Sequence, residues 1–147
     1  MIGEFWAQPN LQGHYRFEDN LNDSSGKGRN LSISGTATYI SGKFNKSFSQ
    51  NNNKANYAYI NDSMGVNGGV ITLGLWFKDV GTETSTARRG LISQVNINTN
   101  TRYGIFRQTV DGTDYLIFRR DGIGGGGTAG EVKVAWSSYV STTTYKL

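Results

Sequence analysis

Hydrolytic chemistry needs acid and base groups held close together, and this sequence has few to offer. A retaining glycosidase sets two carboxylates about 5–5.5 Å apart. The glutamates Glu4, Glu18, Glu83 and Glu131 stand far from one another along the chain. His14 is the single histidine, so a two-histidine metal site is excluded and a His-based triad is strained. It falls on the polar side of an alternating stretch, where a surface histidine is expected. There is no cysteine, hence no thiolate metal site and no disulfide framework. "Gly122-Ile123-Gly124-Gly125-Gly126-Gly127" spells G-x-G-x-x-G, but that motif cradles phosphate only between a strand and a helix. Residues 131–136 read as strand, so the glycines predict a flexible hairpin loop. "Gly26-Lys27-Gly28" lacks the rest of a phosphate-binding loop. The expectation is a protein that is not an enzyme.

Two other chemistries have residues to carry them. "Asp19-Asn20-Leu21-Asn22-Asp23-Ser24-Ser25-Gly26" supplies oxygens of the kind that hard cations collect six to eight at a time. Counting Asp19 as the first position of an EF-hand loop puts Asn30 where the acidic twelfth ligand belongs. The same residues also make an Asx turn, in which Asp23 accepts backbone N–H bonds from the residues after it. Sugar recognition would lay an aromatic ring against a sugar face, with amides, carboxylates or guanidinium groups beside it. Trp76, Tyr103, Arg107, Tyr115 and Trp136 are the candidates, and Tyr103, Arg107, Tyr115 and Trp136 form the expected ligand-binding set. Tyr103 and Arg107 share a strand face with Ile105 and are expected to be the more exposed, while Trp76 and Trp136 also read as sheet-packing residues.

The elements that must carry these groups are short strands. Glycine is high at 20 of 147 residues, proline is 1, and aromatic residues reach 12%. No window holds an apolar period of 3.6 residues. Apolar and polar residues alternate over 11–17, then over 31–34 and 36–40, with Phe44 and Phe48 following and a short strand at 57–60. In "GVITLGLWFKD", Ile71, Leu73, Leu75 and Phe77 face one way and Thr72, Gly74, Trp76 and Lys78 the other. Apolar groups on both sides predict a central strand there. Further strands are expected at 91–97, 102–109, 115–120 and 132–136, with the Asp-Gly of "DGTD" turning a hairpin, and a last strand beginning in 137–147. About ten strands at this spacing predict a sandwich or barrel.

Charge and hydropathy narrow the partners. The net charge of +4 is spread thinly, without the basic run of a nucleic-acid tail. No stretch approaches the roughly 18 apolar residues of a membrane helix. No apolar segment of signal-peptide type follows Met1, so the chain is expected to act where it is made, to leave by a route such as virion assembly, or to be excised from a larger secreted protein.

"LQGHYRFEDNLNDSSGKGRNLSISG", "SGKFNKSFSQNNNKANYAYIND" and "GVITLGLWFK" together resemble the LamG-like, concanavalin A-like lectin/glucanase jelly-roll group. The shared features are a strand with paired aromatics, an Asp-Ser-Ser-Gly-x-Gly turn, a Gly-Lys-Phe segment ending on a second Phe, a Tyr-containing strand and an apolar strand with a Trp. The likeness covers residues 11–78 well and continues loosely to the end. It implies an all-β fold: a two-sheet antiparallel jelly-roll sandwich over 1–147, with residues 1–10 as an N-terminal arm and the family's last strands missing at the C-terminal edge. It implies a structural calcium near the first loop, with Glu18 and Asp23 as the carried-over ligands. The Glu-x-Asp-x-(x)-Glu motif of the group's glucanases is not found here. Fold alone leaves the function open. The expectation is a non-catalytic module that binds a glycan or another cell-surface polymer at an extracellular or virion surface. The alternative is a structural phage or virus-like particle protein, in a capsid decoration, tail or fibre, whose open sheet edge a partner strand or self-assembly completes.

Overall fold

In a computed structural model, residues 10–51, 53, 55–62, 64, 72–78, 89–96, 101–120 and 130–135 are described. The chain divides into two compact units, Met1–Gly69 and Val70–Leu147. Among the described residues there is no helix, and every strand pair is antiparallel.

The first unit holds two strand pairs. β1 (Ser32–Ser34) pairs with β4 (Tyr57–Tyr59), and β2 (Thr38–Ser41) pairs with β3 (Lys46–Ser49). Gly35, at φ 73°, ends β1 where the alternation breaks. The β2–β3 turn closes through the Gly42 N–H donating to the Asn45 carbonyl at 2.7 Å, with Asn45 in the left-handed region at φ 80°. Asn56, only 6% exposed, ties the loop before β4 to the start of β2. Its Oδ1 accepts from the Thr36 N–H at 3.0 Å and its Nδ2 donates to the Gln50 carbonyl at 3.2 Å, which satisfies both ends of a buried amide.

Aromatic rings pack this unit. Tyr15 and Phe17 lie 6.4 Å apart, Phe17 and Phe48 5.8 Å, and Phe48 meets Tyr39 edge-on at 6.4 Å, separations at which tilted and edge-to-face pairs attract. Leu11, Gly13, Tyr15 and Phe17 are half-buried, but Gln12 and His14 from the expected polar side are half-buried with them, and the backbone is not a strand. That stretch makes a single bridge, Tyr15 with Asp23, and no ladder. Phe17 turns into the left-handed region at φ 58°, and the Asp19 N–H closes on the Phe17 carbonyl at 3.0 Å.

The second unit is a meander. β5 (Arg89–Asn96), β6 (Thr101–Val110), β7 (Thr113–Arg120) and β8 (Gly130–Ala135) lie side by side in chain order. Asp111 and Gly112 form the β6–β7 hairpin at φ 49° and 77°. Both residues are left-handed, the backbone twist that Asp-Gly suits in a two-residue hairpin loop. Val110 is thereby set opposite Thr113 and Tyr103 opposite Arg120. A register shift between Gly90 and Ile92 kinks β5. Ile117 is fully buried and Tyr103 nearly so.

The expected central strand around Leu73 and Leu75 takes a different form. Residues 72–78 hold one bridge, at Phe77, and no strand. Leu73, Leu75 and Phe77 are half-buried while Thr72, Gly74, Trp76 and Lys78 are exposed. Burial along 72–78 follows the expected period of two. The expected burial of both faces does not hold: Trp76 is 41% exposed, so its side of the segment faces outward. Ile71, the loop 121–129 and residues 136–147 lie outside the described residues.

Candidate functional site

The polar loop 18–30 is organised around one carboxylate. Asp23 Oδ1 accepts from the backbone N–H of His14 at 2.9 Å and of Ser25 at 2.8 Å. Its Oδ2 accepts from the Ser25 hydroxyl at 2.7 Å and the Arg29 N–H at 3.1 Å. Desolvation pushes the Asp23 pKa up, but the four hydrogen bonds from His14, Ser25 and Arg29 outweigh it and hold the group at about 2. Around this hub the Asp23 N–H donates to Asn30 Oδ1, the Ser24 N–H to the His14 carbonyl, and the Leu31 N–H to the Leu21 carbonyl. Arg29 fastens the loop to the chain outside it, with Nη1 donating to the Gln12 carbonyl at 3.0 Å and Nε bound to Asp62 at 2.7 Å. This is the Asx turn, elaborated.

The carried-over calcium ligands do not fit a cation in this arrangement. Both Asp23 oxygens already accept two donors each, and an N–H cannot share its acceptor's lone pair with a metal. Glu18 Oε2 accepts from the Asn45 amide, and Asp19 pairs with Lys46 at 3.1 Å. Among the described residues no three His, Asp or Glu side chains come together as a metal cluster. His14 departs from the surface position expected of it. It is half-buried, and desolvation, helped by the charge of Arg16, lowers its pKa below 6.5 against the opposing pull of Asp23.

Of the expected ligand-binding set, Tyr103 and Arg107 do share a face of β6 with Ile105, since their partners on β7 are Arg120, Leu116 and Phe118. Their expected exposure is corrected. Tyr103 is 3% exposed and Arg107 8%. Arg107 Nη2 binds Asp114 Oδ2 at 2.7 Å, and the Thr109 hydroxyl donates to the other oxygen of the same carboxylate. These bonds, Thr109's first, hold the Asp114 carboxyl below its usual range. A guanidinium so buried needs its counter-charge, and Asp114, opposite Thr109 and diagonal to Arg107, supplies it across the strand pair. The Arg120 guanidinium stands 5.9 Å from the centre of the Tyr103 ring. Tyr115 sits opposite Gln108 and Ala135, on the other face of the sheet, so it does not join Tyr103 and Arg107. Trp136 lies outside the described residues.

The structure draws out an aromatic surface that residue types alone did not single out. β4 runs Tyr57-Ala58-Tyr59, and the pleat turns both tyrosines to one face. They are 46% and 38% exposed, with ring centres 5.7 Å apart and planes at 51°. Their partners on β1 are Ser34 and Ser32. Small hydroxyl side chains opposite large rings leave the rings standing clear beside hydrogen-bonding groups. The signal was the alternation in "NYAYIND", with two tyrosines spaced by one small residue.

No family model, no curated protein and no solved structure matches this chain. Among the described residues, no helix is long and apolar enough to cross a membrane.

Proposed function

We propose that this chain is a non-catalytic recognition module that binds a carbohydrate or another hydroxyl-rich surface polymer, built as a two-sheet concanavalin A-like jelly roll of the LamG kind. The observation that carries the reading is the Tyr57–Tyr59 pair, exposed beside Ser32 and Ser34 on a pleated surface. Sugar rings present apolar C–H faces rimmed by hydroxyl groups. Aromatic rings meet the first and serine hydroxyls the second. A glycan array followed by titration of the best polysaccharide tests this. Tyr57→Ala and Tyr59→Ala are each expected to weaken binding about tenfold, taking roughly 1–3 kcal/mol as the worth of one stacked ring. Binding that survives both substitutions, or binding to no glycan, overturns the proposal.

A second reading, a structural component of a phage or virus-like particle, draws on the four-stranded sheet. Its outer strand β8 has one neighbour, β7, among the described residues, which suits a sheet completed by another subunit. Incorporation into assembled particles, read by co-sedimentation with the other particle proteins, tests that reading.

A further inference from the structure

The sequence of β8, Gly130-Glu131-Val132-Lys133-Val134-Ala135, carries a pattern that its own sheet does not use up. β7 lies on one side of it, and among the described residues no strand lies on the other. Alternation puts Val132 and Val134 on the face shared by Leu116 and Phe118, and Glu131 and Lys133 on the face shared by Ile117 and Arg119. Val132 is 62% exposed and Phe118, directly opposite it, 39%. On the other face Glu131 binds Arg119 through Oε1 at 2.8 Å and Lys133 through Oε2 at 3.3 Å, while Lys133 stays 43% exposed at its side chain.

We propose that two copies of this chain pair β8 against β8, antiparallel about a two-fold axis through Val132, to join their two sheets into one. The charges choose this register. Two antiparallel strands keep the faces of a sheet in common only when residues of the same parity stand opposite each other. Centring the axis on Glu131 sets that carboxylate against itself, and centring it on Lys133 does the same to the ammonium groups. Centring it on Val132 sets Glu131 opposite the second copy's Lys133 and Lys133 opposite the second copy's Glu131. Opposite charges facing one another across strands attract, and like charges repel. Each Glu131 keeps Arg119 on one oxygen and shares the other between two lysines. On the reverse face the two Val132 side chains meet at the axis, with a Phe118 behind each, and bury apolar surface that the single copy leaves open. The pairing stands apart from the glycan reading, because it uses neither Tyr57 nor Tyr59.

The chain has no cysteine, so a single introduced one reports cleanly. Directly opposed residues in an antiparallel pair have Cα atoms about 4.5–5.5 Å apart, within the range a disulfide spans. Val132→Cys is expected to give a covalent dimer on mild oxidation, at least about tenfold faster than Ser93→Cys, an exposed position on β5 at the other end of the described strand order. Lys133→Glu places four carboxylates at the axis and is expected to weaken the native dimer by about tenfold or more in sedimentation equilibrium, with circular dichroism confirming the fold. Should Val132→Cys fail to fold, the unmodified chain decides: a dimer at about 100 μM supports the pairing. A monomer at that concentration, equal cross-linking at position 93, or a dimer indifferent to Lys133→Glu overturns it.

Discussion

Asp23 shows how much one carboxylate can hold. Its two oxygens gather donors from His14, Ser25 and Arg29, residues that the chain alone leaves up to 15 positions apart. Asp23→Ala leaves three backbone N–H groups without their acceptor and is expected to cost roughly 2–4 kcal/mol, read as a lower urea midpoint. Acid should act on the same hub. The folded pKa of Asp23 is about 2 against 3.8 for the free group, so the unfolded chain takes up the proton first. The stability it contributes is complete above pH 3.8 and is lost as the pH falls from there through about 2. His14 acts in a separate window. Its pKa is depressed below 6.5 in the fold, so the unfolded chain again binds the proton first and stability declines as the pH drops below 6.5. Denaturation followed against pH should show two steps, and His14→Gln should remove the upper one alone.

Strands and turns depend on backbone geometry that few residues tolerate. Gly35 sits at φ 73° with the Asn56 side chain and the Ala55 carbonyl pressed against the place a Cβ would fill. Gly35→Ala would displace Asn56 from its Thr36 bond and is expected to cost roughly 2–3 kcal/mol, split between strain and the broken contact. Crosspeaks of Thr36 and Gln50 in an amide spectrum should move with it. In the meander, Ile117 is fully buried on β7. Ile117→Ala is expected to lower stability by roughly 2–5 kcal/mol, as large-to-small changes in a packed interior do. Gly112 at φ 77° needs no such packing argument. Its replacement should loosen the hairpin while the Arg107–Asp114 pair, four residues back from the turn on β6 and two in on β7, keeps the register.

At the scale of the whole molecule, the two proposals predict a combined effect. A dimer joined through β8 carries two Tyr57–Tyr59 surfaces, and a polymer with repeated sites could engage both. Binding to a long glycan should then exceed binding to a short oligomer of it by more than the count of sites, and Lys133→Glu should erase that surplus while leaving the short-oligomer affinity unchanged. Surface plasmon resonance on immobilised polysaccharide, compared with calorimetry on the oligomer, separates the two. Loss of short-oligomer affinity with Lys133→Glu would show that the strand edge and the ring surface are not independent.

Alternation was legible in the residues because side chains in an extended chain must point to opposite sides whatever the rest of the protein does. It found β1, β2 and β4 within a residue or two and all four strands of the meander, and Asp-Gly announced the hairpin because few other pairs accept two left-handed residues. Alternation does not say which side is covered. Tyr103 and Arg107 looked free because an arginine every second position from an isoleucine resembles a solvent face, and only the Asp114 carboxylate across the strand pair, with Thr109 beside it, makes burying that guanidinium affordable. The choice between cation site and turn at Asp23 likewise waited on which donors the fold delivered, and it delivered backbone N–H groups. Tyr57 and Tyr59 stand exposed because β1 sets serines against them, a matter of register between segments more than twenty residues apart. Local chemistry dictates where a side chain points; contact between distant segments dictates what it meets there.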